Sequence, residues 1–483
     1  MLRCQFAKTT MWTLSEYKKA YAKLTHATSY AALTDFEVSR DTTRKIDAYS
    51  FNRIPFSPMD ESTQPIGAGL KLREVCSFAK KFYDELGLVT TPITVAKLFI
   101  DNRNFDQLQN EGLGFQLLNR TIAKPQSTLN CFLVASVKQQ ESFDSIGMCF
   151  KLGNCIEDIP HIQKSLTVLS VCDWVTYQKS DLFVHMASAR VGHKRICFAC
   201  NFNVADKWQG WKGATTFFTK VHESKLNDVN RQQTDSWFSK ISIRKRIYDP
   251  MHGLSRITGD CITGVHTYLH KLGVMKLTIN EELLCYTKGY TINGIRSKEC
   301  KILLHDEIYN DMLAHIGTYS CVAGVITNYP PPYSNPIEII RETFKSLKVL
   351  FEDIYSKKFC QEPVSDELLQ ARESLIICNS IMQPGANINP GAHYMINHYY
   401  EDKALFSELG IRPVDVINEA SESSNITDKK ASKQCCSDSF PFSWSKSTCR
   451  RMLEVSYSRK SILMQIHSCY PESNFVTKLF TRK

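Results

Sequence analysis

The residues with chemistry to offer fall in a few short stretches. Cys197 and Cys200 form a C-x-x-C pair, the spacing at which two thiolates on one tight turn reach a single metal ion. Cys261, His266 and His270 could complete a zinc site with them, although about sixty residues separate the two halves. His266 and His270, at i and i+4, read more simply as polar positions on an otherwise buried helix. His305, Asp306, Glu307, Asp311 and His315 could be drawn as a metal or acid–base group, and an exposed, capped helix start explains them equally well. No G-x-x-x-x-G-K-[ST], G-x-G-x-x-G, G-x-S-x-G or H-E-x-x-H pattern occurs, so phosphate-loop, dinucleotide, hydrolase-elbow and zincin chemistry lose their usual signatures. The expectation is a protein that is not an enzyme, with no catalytic residue, no metal and no cofactor.

A second kind of chemistry is electrostatic. Lys240, Arg244, Lys245 and Arg246 place four cations within seven residues and no acid among them, a way to present charge to a polyanion. Arg190, Lys194 and Arg195 make another cluster. Arg341, Lys345 and Lys348 recur at i, i+4 and i+7 beside an apolar seam, and Lys446, Arg450, Arg451, Arg459 and Lys460 crowd the tail. Taken alone, a run such as Arg244-Lys245-Arg246 is most often a solvated face or an import signal. Pro330-Pro331-Pro332-Tyr333 matches the PPxY ligand of WW domains, and a structural turn is the simpler reading.

These residues need scaffolding. The stretch from Asp235 to Lys276 runs from an aromatic pair through the basic strip, breaks at Pro250 and Gly253, and becomes an apolar helix with Ile262, Val265, Leu269, Leu272 and Met275 on one face. Leu70 to Leu86 predicts an amphipathic helix, with Leu72, Val75, Phe78, Ala79 and Phe82 inward and Lys71, Arg73, Lys80 and Lys81 outward. Between Pro92 and about Val184 the segments TVAKLFI, GFQLLNRTIA, NCFLVASVKQQ and HIQKSLTVLSVCDWVTYQ show no sustained alternation and read as helices. After Val325 to Pro336, another helix carries Ile340, Phe344, Leu347 and Phe351. Asn418 to Ser439 is rich in Ser, Lys and acids and reads as a mobile loop.

Bulk composition bounds the answer. A chain of 483 residues exceeds one small core and predicts two or three subdomains. Apolar content of 43% is that of a globular chain. The net charge of +10 is clustered: from Trp444 to Lys483 there are eight Lys/Arg against two Glu, which supplies +6 of it. Eighteen scattered cysteines point to free thiols in a reducing compartment. The first residues show no signal-peptide pattern, and no apolar run reaches eighteen residues, so membrane insertion is not expected.

The order of features from Asp235 onward resembles the nucleoprotein of rhabdoviruses, the family of vesiculoviruses and lyssaviruses. The parallel runs through DSWF, the strip Lys240 to Arg246, the Asp260-Cys261 pair on the apolar helix, His315, Tyr319 and Gly324, then Pro332-Tyr333-Ser334 before a long helix, a mobile loop and a basic last helix. Pro330-Pro331 stands where that family carries a lysine. The resemblance implies a mostly α protein: two helical lobes with an RNA-binding groove between them, an extended N-terminal arm and a C-lobe loop. It implies single-stranded RNA contacts at Arg190, Lys194, Arg195, Lys240, Arg244, Lys245, Arg246, Arg341, Lys345, Lys348, Arg450 and Arg451, with Pro332, Tyr333 and Ser334 forming a groove wall or turn.

The resulting expectation is a viral nucleoprotein that encapsidates single-stranded genomic RNA without sequence preference and forms a ring-like or helical homo-oligomer. Its partners would be a viral phosphoprotein and polymerase, and its place the virion and host cytoplasm, with the nucleus as a further possibility. The expected layout is an arm at 1–33, an irregular linker at 34–69, an N-terminal helical lobe at 70–280 and a C-terminal helical lobe at 281–483 that includes the loop 418–439. The alternatives are an adaptor recruiting WW-domain partners through Pro330 to Tyr333, and a zinc-dependent enzyme.

Overall fold

The computed structural model describes residues 60–89, 91–105, 108–118, 126–139, 144–180, 197–200, 202, 207–208, 236–271, 336–356, 364–420 and 446–469. In chain order the elements are β1 (Asp60–Thr63), β2 (Ile66–Gly69), α1 (Leu72–Glu85), β3 (Val95–Phe105), β4 (Leu108–Leu118), β5 (Phe132–Lys138), α2 (Ser145–Leu152), α3 (Cys155–Ile162), β6 (Thr167–Cys172) and α4 (Trp174–Ser180). They continue with β7 (Arg246–Tyr248), α5 (Pro250–Lys271), α6 (Pro336–Ile354), α7 (Asp366–Met382), α8 (Pro390–Asn397), α9 (Tyr399–Leu409), α10 (Pro413–Val416) and α11 (Lys446–Cys469). The chain divides into two compact units: Met1–Cys172 with Ser236–Ile241 and Asn418–Lys483, and Asp173–Asp235 with Ser242–Ile417.

The first unit overturns the expectation of a mostly helical protein in two helical lobes. Six strands of a mixed sheet belong to it, in the order β1-β2-β5-β4-β3-β6. β3 and β4 form an antiparallel hairpin from Val95↔Leu118 to Phe105↔Leu108, and β6 joins β3 in parallel. The segments read as helices between Pro92 and Val184 are largely these strands. The physical reason is burial on both faces: Phe132 to Val137 of β5 are all buried, so alternation disappears and a short apolar run no longer distinguishes strand from helix. β-branched and aromatic residues win locally once helices cover the sheet. Within the range read as linker, 60–69 form the β1–β2 hairpin.

Gly114 shows how tightly the sheet packs. Its cross-strand partner is Phe99, and a Cβ at Gly114 would stand 2.1 Å from the Phe99 ring. Helix α11 closes the unit: Tyr457 donates its hydroxyl to the Leu133 carbonyl at 2.7 Å, and Lys460 donates to the Cys131 carbonyl at 2.9 Å. Helix α1 matches expectation, with Leu72, Val75, Phe78, Ala79 and Phe82 buried.

The second unit is built on helices. α5 begins at Pro250, earlier than the break at Pro250 and Gly253 predicted, so Asp260 and Cys261 lie inside it. Asp249 caps its start by accepting from Met251 N at 3.1 Å, with Pro at the first helical position. Gly253 lies within the helix where α8 passes close by: a Cβ there would meet Met395 Sδ at 2.2 Å. α6 carries the predicted seam, with Ile340, Phe344 and Leu347 buried, and packs on α7.

Candidate metal centre and basic segment

Cys197, Cys200, His393 and His398 converge in the second unit. Their ligand-capable atoms all lie within 4.8 Å of one another, and all four residues are buried. Cys197 Sγ is 3.6 Å from His398 Nε2, and Cys200 Sγ is 3.2 Å from His393 Nε2.

Local structure explains how each ligand is held. The backbone N–H of Ala199 points at Cys197 Sγ at 3.3 Å, and that of Phe202 at Cys200 Sγ at 3.5 Å. The turn closes through Cys197 N donating to the Phe202 carbonyl at 3.4 Å. Phe198, inside the C-x-x-C, stacks on Tyr177 at 4.2 Å on one side and on Tyr394 at 5.3 Å on the other. That aromatic column pins the turn against α8. A few residues on, Trp208 N donates to the Ala386 carbonyl at 3.0 Å, and Lys207 bridges Asn387. Two segments far apart in sequence are thus zipped together by main chain, aromatic rings and the Cys/His group.

The histidines come from α8 and its C-cap. Asn389 caps the helix by accepting from Gly391 N at 2.8 Å, with Pro390 at the first position. Phe202 stacks flat on the His393 imidazole, with centroids 3.7 Å apart and planes 9° apart. Each imidazole also has a partner on its far side. His393 Nδ1 lies 2.8 Å from the Asn397 side-chain amide, and His398 Nδ1 lies 3.4 Å from Glu401 Oε2. Both Nε2 atoms face the sulfurs. Burial pushes the Cys197 thiol up, but Cys200, His398 and His393 outweigh it and hold Cys197 well below the usual thiol range.

The structure sets Cys197 and Cys200 beside His393 and His398, which the sequence reading did not pair with them. Cys261 is not in the cluster; its sulfur accepts from Asn379 Nδ2 at 3.4 Å inside the helical core. The side chains of His266 and His270 lie outside the described residues. His393 and His398 form an H-x4-H, a spacing seen in zinc sites, and this was the available signal. The two pairs stand almost two hundred residues apart, so no local spacing joins them.

The basic segment is split by its own packing. Trp237 and Phe238 anchor it in the first unit: Trp237 Nε1 donates to Asp144 Oδ2 at 2.7 Å, and Phe238 meets Phe150 edge-on at 5.0 Å. Lys240 and Arg244 are exposed and Lys245 is half-buried. No carboxylate within ion-pairing distance of these three occurs among the described residues. Arg246 corrects the expectation of an RNA contact: it is among the largest fully buried side chains, on β7, so phosphate cannot reach it.

The remaining predicted contacts differ. On α6 Arg341 is exposed, Lys345 lies 3.8 Å from Glu342, and Lys348 lies 3.8 Å from Glu352, so the positive stripe is largely neutralised. Arg450 pairs with Glu454 at 2.9 Å and with Glu61 at 3.7 Å. Arg451 is helical, with its side chain outside the described residues. Arg190, Lys194, Arg195, Pro332, Tyr333, Ser334, the PPxY segment, the acids near 305–315, the arm 1–33 and the loop beyond 420 also lie outside them. No helix among the described residues is long and apolar enough to cross a membrane.

Neither protein-family models nor curated proteins provide a match to this chain.

Proposed function

We propose that the chain binds single-stranded RNA without sequence preference, through phosphate contacts centred on Lys240, Arg244 and Lys245. The supporting observation is that these cations sit within six residues of sequence without a carboxylate partner among the described residues, and that Trp237 and Phe238 anchor the stretch carrying Lys240. Clustered, unneutralised charge is what a sequence-independent polyanion contact requires. The paired lysines of α6 lack that property. Homo-oligomeric assembly, recruitment of a phosphoprotein and polymerase, and residence in the virion and host cytoplasm extend the same proposal by resemblance to rhabdovirus nucleoproteins. The two helical lobes of that family do not carry over, because the first unit is built on a sheet.

The proposal contains no catalytic step. The Cys/His group supplies four protein ligands, the pattern of a structural site, whereas a catalytic zinc keeps an open position. The test is fluorescence anisotropy with two single-stranded RNAs of unrelated sequence over a range of salt. Both RNAs should bind alike, and changing Lys240, Arg244 and Lys245 together to Ala should lower the slope of log affinity against log salt by about 2. An unchanged slope and affinity in the triple variant would remove this segment from the reading.

A further inference from the structure

We propose that Cys197, Cys200, His393 and His398 bind one zinc ion in a closed tetrahedral site that fastens the Cys197–Cys200 turn to helix α8. Three independent features of the second unit carry this.

The first is distance. A tetrahedral ion with ordinary zinc–sulfur and zinc–nitrogen bonds sets sulfur–nitrogen edges of about 3.5 Å. Two of the four sulfur–nitrogen separations here are 3.6 and 3.2 Å, and all the ligand atoms lie within 4.8 Å of one another. Closing the remaining separations, none above 4.8 Å, brings the four atoms round one ion.

The second is the surrounding shell. Zinc-bound imidazoles hold their second nitrogen through a carboxylate, a carbonyl or another polar group. His398 has Glu401 there and His393 has Asn397. The Asn397 Oδ1 is buried without a partner. Turning that amide over brings Oδ1 to the His393 Nδ1–H, which is the tautomer that leaves Nε2 bare for metal. The N–H groups of Ala199 and Phe202 aimed at the sulfurs stabilise thiolates in the same way.

The third is charge. Two thiolates balance one divalent cation, so the filled site is neutral, as a dry interior demands. Binding leaves both sulfurs as thiolates and both imidazoles neutral, with any proton they carried passing to solvent. Four nitrogen and sulfur donors in tetrahedral arrangement select zinc over hard cations such as magnesium or calcium. The ligands span just over two hundred residues, so the ion would stabilise the unit by closing a long loop.

The test uses the full chain purified without chelator. Elemental analysis should find about one zinc per chain. Replacement by cobalt should give tetrahedral visible absorption together with thiolate-to-cobalt charge transfer. Cys200→Ser and His398→Ala should each abolish that spectrum, and Cys261→Ala should leave it intact. Should the ligand variants fail to fold, cobalt titration of the metal-stripped wild-type chain reads the same coordination without them. A folded wild-type chain with less than roughly a tenth of a zinc and no cobalt–thiolate band would overturn the proposal, as would a cobalt spectrum lacking thiolate character or one lost in Cys261→Ala.

Discussion

Cys149 in the first unit and Cys197 in the second are both fully buried thiols, yet their surroundings drive them in opposite directions. Around Cys149 burial dominates and raises the thiol well above its ordinary range, with Glu111, Cys155 and Cys449 adding to the effect. Around Cys197 the same burial is opposed by Cys200 and two imidazoles, and the thiol falls well below that range. Depth alone makes a cysteine an inert small hydrophobe. Several polar groups aimed at one point make it a ligand. Asp260, on α5, belongs with the first kind: burial raises its carboxyl to about 7, and the Trp208 indole only partly offsets this.

The largest expected effect breaks the second site and spares the first. His398→Ala should lower the stability of the chain by about 3 kcal/mol, by opening a buried polar network. Cys149→Ala should cost about 1 kcal/mol, since it removes one small apolar group. Urea unfolding of both variants measures the gap, and equal losses would mean the cluster is ordinary core.

Asp260 gives a smaller, pH-dependent effect. Its folded value near 7 lies above the unfolded value of about 3.9, so the folded chain keeps a proton that the unfolded chain releases. The associated stability is complete below about pH 4 and is lost as pH rises through 7. Asp260→Asn should flatten that decline, leaving the variant more stable than wild type at pH 8 and closer to it at pH 5. Unfolding curves at the two pH values check this, and parallel curves would show that Asp260 is ionised in the fold.

Thiol labelling sharpens the contrast without any substitution. A chelator added to the native chain should expose Cys197 and Cys200 to alkylation, while Cys149 and Cys155 stay protected until unfolding, as mapped by peptide mass spectrometry. Simultaneous labelling of all four would dissolve the distinction. The smallest effect concerns charge. Lys345→Ala with Lys348→Ala should leave RNA affinity within about twofold, because both lysines already face carboxylates. A loss as large as that from the Lys240, Arg244 and Lys245 triple variant would place α6 in the contact as well.

Helical periodicity was legible wherever one face stays wet. α1 and α6 could be drawn from their apolar spacing, and Pro250, whose ring fits a helix start as well as a break, starts α5. The strands were not legible, because β5 is buried on both faces and its apolar run carries no period of two. The candidate metal site was half legible. C-x-x-C announces itself within four residues, and H-x4-H does so only to a reader who already knows which two stretches meet.

The sequence by itself determined the amphipathic helices, the clustered positive charge and the pair of cysteines on one turn, since these depend on neighbours a few residues apart. The tertiary structure decided that the first unit is a mixed sheet, that Arg246 is sealed inside while Lys240 and Arg244 face solvent, and that His393 and His398 meet the cysteines. Those outcomes depend on which distant segments pack together. Packing is settled by the burial of many side chains at once, and no local spacing records it.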